Sequence, residues 1–129
     1  MRFLLDIHVF IWMISKPKRL NKKVKELLEN GDNLLFLSSI SGLEISIKYQ
    51  INKLKLPEQP SKYVIEKMKE YSVEELPVRI IHSTFVNELP DIHKDPFDRL
   101  LIAQSIIEKI PLITDDSIIK KYSNVELMW

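Results

Sequence analysis

HKDPFDRLLIAQS, residues 93–105, sets two carboxylates, Asp95 and Asp98, directly ahead of the most apolar helical run in the chain. Local rules give one reason for the pair: Asp95 can cap the helix, Pro96 suits its first position, and Asp98 falls at the third position of a capping box. A second reason is delivery of Asp98 to a shared acidic site, and the rest of the sequence bears on that.

Outward from this helix, short apolar runs alternate with helical ones. Strands are expected at Arg2–Leu5, Leu34–Leu37, Val73–Val78, Leu112–Thr114 and Val125–Met128, the third being edge-like because Pro77 cannot donate to a ladder. Helices are expected at Val9–Ile14, from Asn21 as cap through Glu29 with Gly31 ending it, and from near Ser41 to about Ile51. In the last of these, Leu43, Ile47 and Ile51 recur at i, i+4 and i+8. Further helices are expected at Ser61–Tyr71, Ser83–Glu88, Pro96 to about Lys109, and Asp115–Lys121. Four or five apolar strands separated by helices imply a mostly parallel sheet covered on both faces, hence a three-layer α/β/α domain.

At 129 residues and 45% hydrophobic, the chain suffices for one core, so residues 1–129 are expected to form one domain. The absence of cysteine excludes disulfides, thiolate nucleophiles and Cys-based zinc or iron–sulfur sites, and fits a reducing cytoplasm. No apolar run approaches the roughly 20 residues of a membrane span, and Met1–Trp12 lacks the basic region and cleavage site of a signal peptide. A soluble cytoplasmic protein is expected.

The net charge of +1 is less informative than its distribution: Lys16–Lys25 holds six basic residues and no acidic one, whereas Glu88–Asp98 holds four acidic residues. A basic flank beside an acidic site suits a polyanion and a metal ion, although a solvated helix face is the commoner use of a lysine run.

Ligand sites of parallel α/β sheets lie beyond the carboxyl ends of the strands. Asp6 ends the first strand, Glu44 sits in the first turn of the helix after the second, Asp98 in the first turn of its helix, and Asp115 and Asp116 follow the fourth strand. Carboxylates gathered there repel one another unless a cation joins them, and hard oxygen donors favour Mg²⁺ or Mn²⁺. Each also has a local explanation. Ser41 to Glu44 reads as a capping box, Glu44 and Lys48 as an i, i+4 pair, and Asp115 and Asp116 as favourable charges at a helix start. Asp6 has the weakest one, because an acid within a core strand is costly unpaired.

Two glycines in the whole chain exclude a glycine-rich phosphate loop. His8, His82 and His93 lack a metal-binding spacing, and no nucleophile elbow is present. His8 is expected to pack or hydrogen-bond at the end of the first strand, His82 and His93 to sit in loops.

The segments LLDIHVFIW (4–12), SSISGLEISIKYQINKLKLP (38–57), HKDPFDRLLIAQS and LITDDSIIKKY (112–122), in this order and spacing, resemble PIN-domain ribonucleases of the VapC toxin type. The resemblance implies a Mg²⁺- or Mn²⁺-dependent endoribonuclease that hydrolyses RNA phosphodiesters with a metal-activated water. It also implies neutralisation by a cognate antitoxin and a homodimer. By motif, the ligands fall on Asp6, Glu44, Asp98 and Asp116. Asp95 is then the N-cap, and Asp95, Asp115 and Thr114 are candidates for the surrounding groups, Asp115 also as an alternative ligand. Two departures stand out: Ile7 replaces a threonine that often follows the first aspartate, and Leu43 an aromatic residue before the glutamate. Charge pattern nominates Arg19, Lys22, Lys23 and Lys53 for the phosphates of single-stranded or looped RNA. Phe10, Ile11 and Trp12 are candidates for an antitoxin groove, though such residues are more often core. Two other classes compete: a receiver-like phospho-acceptor, which would want its acidic pair after the first strand, and a catalytically lapsed interaction module whose acids only cap helices.

Overall fold

The computed structural model describes all residues from Met1 to Trp129. Its sheet has five strands, β1 (Arg2–Leu5), β2 (Leu34–Ser38), β3 (Val73–Leu76), β4 (Leu112–Ile113) and β5 (Leu127–Met128), all parallel and in the order β3-β2-β1-β4-β5. Six α-helices connect them: α1 (Ile7–Ser15), α2 (Lys22–Glu29), α3 (Ser39–Gln50), α4 (Pro60–Glu70), α5 (Ile80–Phe85) and α6 (Pro96–Glu108). Single 3₁₀ turns occur at Pro17–Arg19, Val86–Glu88 and Ile119–Lys121.

Side-chain alternation along the strands explains the three layers. Phe3 and Leu5 of β1, Leu35 and Leu37 of β2 and Ile113 of β4 face one way, into a core shared with Ile7, Phe10, Val24 and Val64 from α1, α2 and α4. Leu4 and Leu112 face the other way, onto Leu101, Ile102 and Ala103 of α6, with Phe36 packed against them. β1 is central, so its apolar residues are buried on both faces. The third strand is an edge, as Pro77 predicts.

The helices differ from the expected ones in three instructive places. α2 is capped by Asn21, whose side chain accepts the Val24 N–H, but it ends at Asn30, and Gly31 does not take a positive φ. The expected helix from Asp115 shrinks to the turn at Ile119–Lys121, because the carboxylate of Asp116 accepts the N–H groups of Ile118 and Ile119 and closes that turn locally. α3 opens two residues earlier than expected, with Ser38 as its cap. The row Leu43, Ile47 and Ile51 is exposed, and the face turned inward carries Ser41, Glu44 and Ile45. α3 is apolar on more than one side, so hydrophobicity alone does not fix its rotation; its cap at the end of β2 does.

Candidate active site

Strand order reverses at β1, with β2 and β3 on one side and β4 and β5 on the other. A crevice opens beyond the carboxyl ends of the strands at such a point. Asp6 follows β1 directly and is 2% exposed. It caps α1 through Oδ1, which accepts the His8 N–H at 3.3 Å, so the acid with the weakest local explanation in sequence does have a local role. Its Oδ2 accepts the hydroxyl of Thr114 at 2.6 Å. Burial pushes the Asp6 carboxyl up, but the hydrogen bonds from His8 and Thr114 outweigh it and hold the group below the ordinary carboxylate range.

Thr114 is fully buried after β4, and its oxygen also accepts the Asp116 N–H at 3.0 Å. One hydroxyl thus ties Asp6, after β1, to the segment after the neighbouring strand β4 that carries Asp116. Thr114→Val keeps the shape and removes both bonds. It is expected to cost about 1–3 kcal/mol in urea unfolding and to raise the Asp6 pKa; unchanged stability would mean that the bridge contributes nothing.

For Asp95 and Asp98, the division of labour is visible in their bonds. Asp95 caps α6, its Oδ1 accepting the Phe97 N–H at 2.9 Å. The Asp95 N–H goes to His93 Nδ1 at 3.2 Å, so Asp98 does not complete a capping box. Asp98 is nevertheless buried, and its carboxyl is pushed up to about 8, first by burial and then by the charges of Asp6, Asp95, Glu44 and Asp116. Carboxylates from separate parts of the chain therefore act on one group.

Glu44 loses its capping explanation too, because the cap is Ser38 and not Ser41. The i, i+4 pair with Lys48 forms at 3.4 Å through Oε2, while Oε1 is buried without a partner. Burial raises the Glu44 pKa, Lys48 opposes the rise, and Asp95 and Asp6 add to it. A buried anionic oxygen with nothing to bind is what a hard cation would use. Asp116 keeps its second oxygen clear of the turn that its Oδ1 closes. Asp115 is half-exposed and paired with Lys120 at 3.0 Å, which favours Asp116 as the ligand.

His93 is buried beside these acids, a placement that its expected loop position does not convey. Its Nε2 lies 2.9 Å from Asp98 Oδ2, off the line of a hydrogen bond, and 3.9 Å from Asp116 Oδ1; ligand atoms of the three residues fall within 4.8 Å of one another. Because Nδ1 accepts the Asp95 N–H, the neutral ring carries its hydrogen on Nε2. In that tautomer Nε2 has no lone pair to offer a metal, and the carboxylates remain the ligand candidates. The His93 backbone is fixed by Tyr122, whose hydroxyl accepts its N–H at 2.9 Å, and by Arg99, which donates to its carbonyl at 3.3 Å and to those of Pro90 at 2.9 Å and Val86 at 2.8 Å. The spacing of His93 two residues before a cap was the available signal for it. His82 also leaves its expected loop: it is buried in α5, with Nδ1 accepting the Arg79 N–H.

Beyond the acids the surface opens into a cleft of about 360 Å³ lined by Asp6, His8, Trp12, Arg19, Asp115 and Asp116. An adjoining groove of about 640 Å³ shares His8, Trp12 and Arg19 and adds Lys16, Lys48, Lys53 and Lys55. Of the basic residues nominated from sequence, Arg19 and Lys53 line this path. Lys22 and Lys23 are exposed at the start of α2 and line neither part. Lys16, Lys48 and Lys55 replace them, since the turn at Pro17–Arg19 carries Arg19 toward the cleft before α2 begins. Ile11 and Trp12 also line the groove, whereas Phe10 is core.

Residues 3–125 match the family model of the PIN domain. The chain belongs to the PIN-domain family. The fold of this PIN domain is similar to that in the crystal structure of VapBC2 from Rickettsia felis bound to a DNA fragment from their promoter. There the TM-score is 0.70 at 20% identity, over 99% of this chain and 98% of that one. It is also similar to FitAcB from Neisseria gonorrhoeae, with a TM-score of 0.61 at 18% identity over 98% and 96% of the two chains. At these identities the likeness is one of fold. No curated protein matches the chain. No helix of this PIN domain is long and apolar enough to cross a membrane.

Proposed function

We propose that this PIN domain is a metal-dependent endoribonuclease acting as the toxin of a VapBC-type toxin–antitoxin system. The observation that carries this reading is Asp98: a buried carboxyl pushed to about 8, with Asp6, Glu44 and Asp116 among the charges that raise it. At neutral pH such a group favours its anion only beside a cation, and the unpartnered Oε1 of Glu44 is a further oxygen suited to one. Asp6, Glu44, Asp98 and Asp116 would hold Mg²⁺ or Mn²⁺. A bound ion would supply positive charge beside the phosphate and lower the pKa of a water for its hydrolysis.

The protein's own residues do the rest. Thr114 and the His8 N–H orient Asp6, and the His93 ring packs beside Asp98, 2.9 Å away at the nearest atoms. Arg19, Lys48 and Lys53 offer cations along the groove that leads to the acids, which would hold the RNA backbone against their negative charge. A cognate antitoxin and a second copy of the chain are the proposed partners, and the exposed row of Leu43, Ile47 and Ile51 supports an apolar contact with the latter.

Glu44→Gln tests the reading, because it keeps the shape of the side chain and Glu44 caps nothing. The variant is expected to fold as the wild type does and to lose cleavage of total RNA in Mn²⁺ by more than about 100-fold, the upper end of what disturbing even a ligand's supports costs. Full activity in the variant would remove Glu44 from the site, and an inactive wild type in both Mg²⁺ and Mn²⁺ would remove the nuclease reading.

A further inference from the structure

We infer that Trp12 and Arg19 form a stacking site for one unpaired RNA base beside the acidic centre. The inference rests on the ribonuclease reading and names how its substrate is held. The guanidinium of Arg19 lies over the Trp12 indole, 4.7 Å from the ring centroid. Trp129 meets the same indole edge-on at 6.0 Å, and His8 lies tilted at 5.9 Å. Trp12 and Arg19 line both the cleft that contains Asp6 and Asp116 and the basic groove next to it. That groove has Lys16, Lys48, Lys53 and Lys55 in its wall and no acidic residue.

These features have different chemical meanings. Lysines along a groove bind phosphates whatever the sequence, and they bind duplex and single strand alike. A half-buried indole at the junction of groove and cleft, covered by a guanidinium, gives a stacked pair whose outer plane is cationic and whose backing is aromatic. Single-stranded nucleic acids are held by this combination, backbone on cations and bases on aromatic or guanidinium planes. A paired base has both faces already stacked in its helix and gains nothing from such a site. The position matters as well: Trp12 and Arg19 share the cleft wall with Asp6 and Asp116, so a base stacked there lies next to the acidic centre. Packing of Arg19 on Trp12 as plain structural support is the competing account.

The test is binding in EDTA, where nothing is cut, of an oligouridine about 8 nucleotides long and of its abasic analogue with the same phosphates. Wild type is expected to prefer the base-bearing strand. Trp12→Leu is expected to lower affinity for it about 5- to 150-fold while leaving the abasic strand and the salt slope unchanged, and Trp12→Phe to restore most of the loss. Equal affinity of wild type for the two strands, or an equal loss on both in Trp12→Leu, would overturn the stacking site. Because no metal and no cleavage enter this assay, failure of the Glu44→Gln experiment leaves its outcome untouched. Binding of both strands without base preference defeats this inference alone, and failure of wild type to bind either strand defeats it together with the RNA reading.

Discussion

Asp98→Asn is expected to abolish RNA cleavage and, in metal-free buffer at pH 8, to leave a protein more stable than the wild type. Asp98 caps nothing, since Asp95 does that, so the amide costs the helix no start signal. What it removes is a buried charge among charges of the same sign. The carboxyl titrates at about 8 in the fold and from 3.8 in the unfolded chain. Between those values the folded protein holds a proton that the unfolded chain has lost. The stability that Asp98 contributes is therefore complete below about pH 4 and is lost as pH rises toward 8, by up to about 1.4 kcal/mol per unit. The variant lacks this decline, so the two urea-unfolding curves should converge near pH 4 and separate toward pH 8. Glu44 and His8, also raised in the fold, lose stability in the same direction with rising pH, but they do so in both proteins, and the difference between the curves reports Asp98 together with its coupling to the neighbouring carboxylates. If the variant were less stable than the wild type at pH 8 without metal, the acidic cluster would not be under the strain assigned to it.

Manganese should reverse that strain in the wild type. A ligand that binds only the folded state stabilises it by RT ln(1 + [L]/Kd), about 2.7 kcal/mol at a hundredfold excess over Kd, or on the order of 10 °C in melting temperature for a chain of this size. Binding must expel the proton held by Asp98, so the affinity is expected to fall about tenfold for each pH unit below 8 and to level off above it. Calorimetry in two buffers of different ionisation enthalpy measures the released proton directly. Asp98→Asn should lose both the stabilisation and the proton release. A wild type whose melting temperature ignores millimolar Mn²⁺ and Mg²⁺ at pH 8 would leave the carboxylates with no cation and the proposed chemistry with no centre.

A cluster that costs stability without its ion reflects how the site is built. Helix starts and strand ends put the acids at one edge, and local needs absorb only part of them. Asp95, Asp6 and Asp116 each serve backbone N–H groups, whereas Asp98 and one oxygen of Glu44 serve none. The groups with the least structural employment are the ones whose substitution should separate function from folding.

Much of this was legible in residue order alone. Apolar runs on both faces of short strands, separated by helices, determined a parallel sheet between helical layers, because strands buried on both sides leave no other arrangement for their side chains. Sequence also determined which acids stand at the carboxyl ends of strands, and the absence of cysteine and of glycine loops narrowed the chemistry they could support. Tertiary structure alone decided the remainder. Whether Asp98 and Glu44 completed capping boxes depended on who took the Asp95 N–H and where α3 began, and the answers were His93 and Ser38. The Thr114 bridge to Asp6 spans 108 residues, and the 3₁₀ turn at Pro17–Arg19 keeps Arg19 in the groove while Lys22 and Lys23 on α2 lie outside it. Patterning reports how often a residue type recurs along one element, but hydrogen-bond partners and electrostatic repulsion depend on distances of a few ångströms between elements, which exist only once the sheet has brought its edges together.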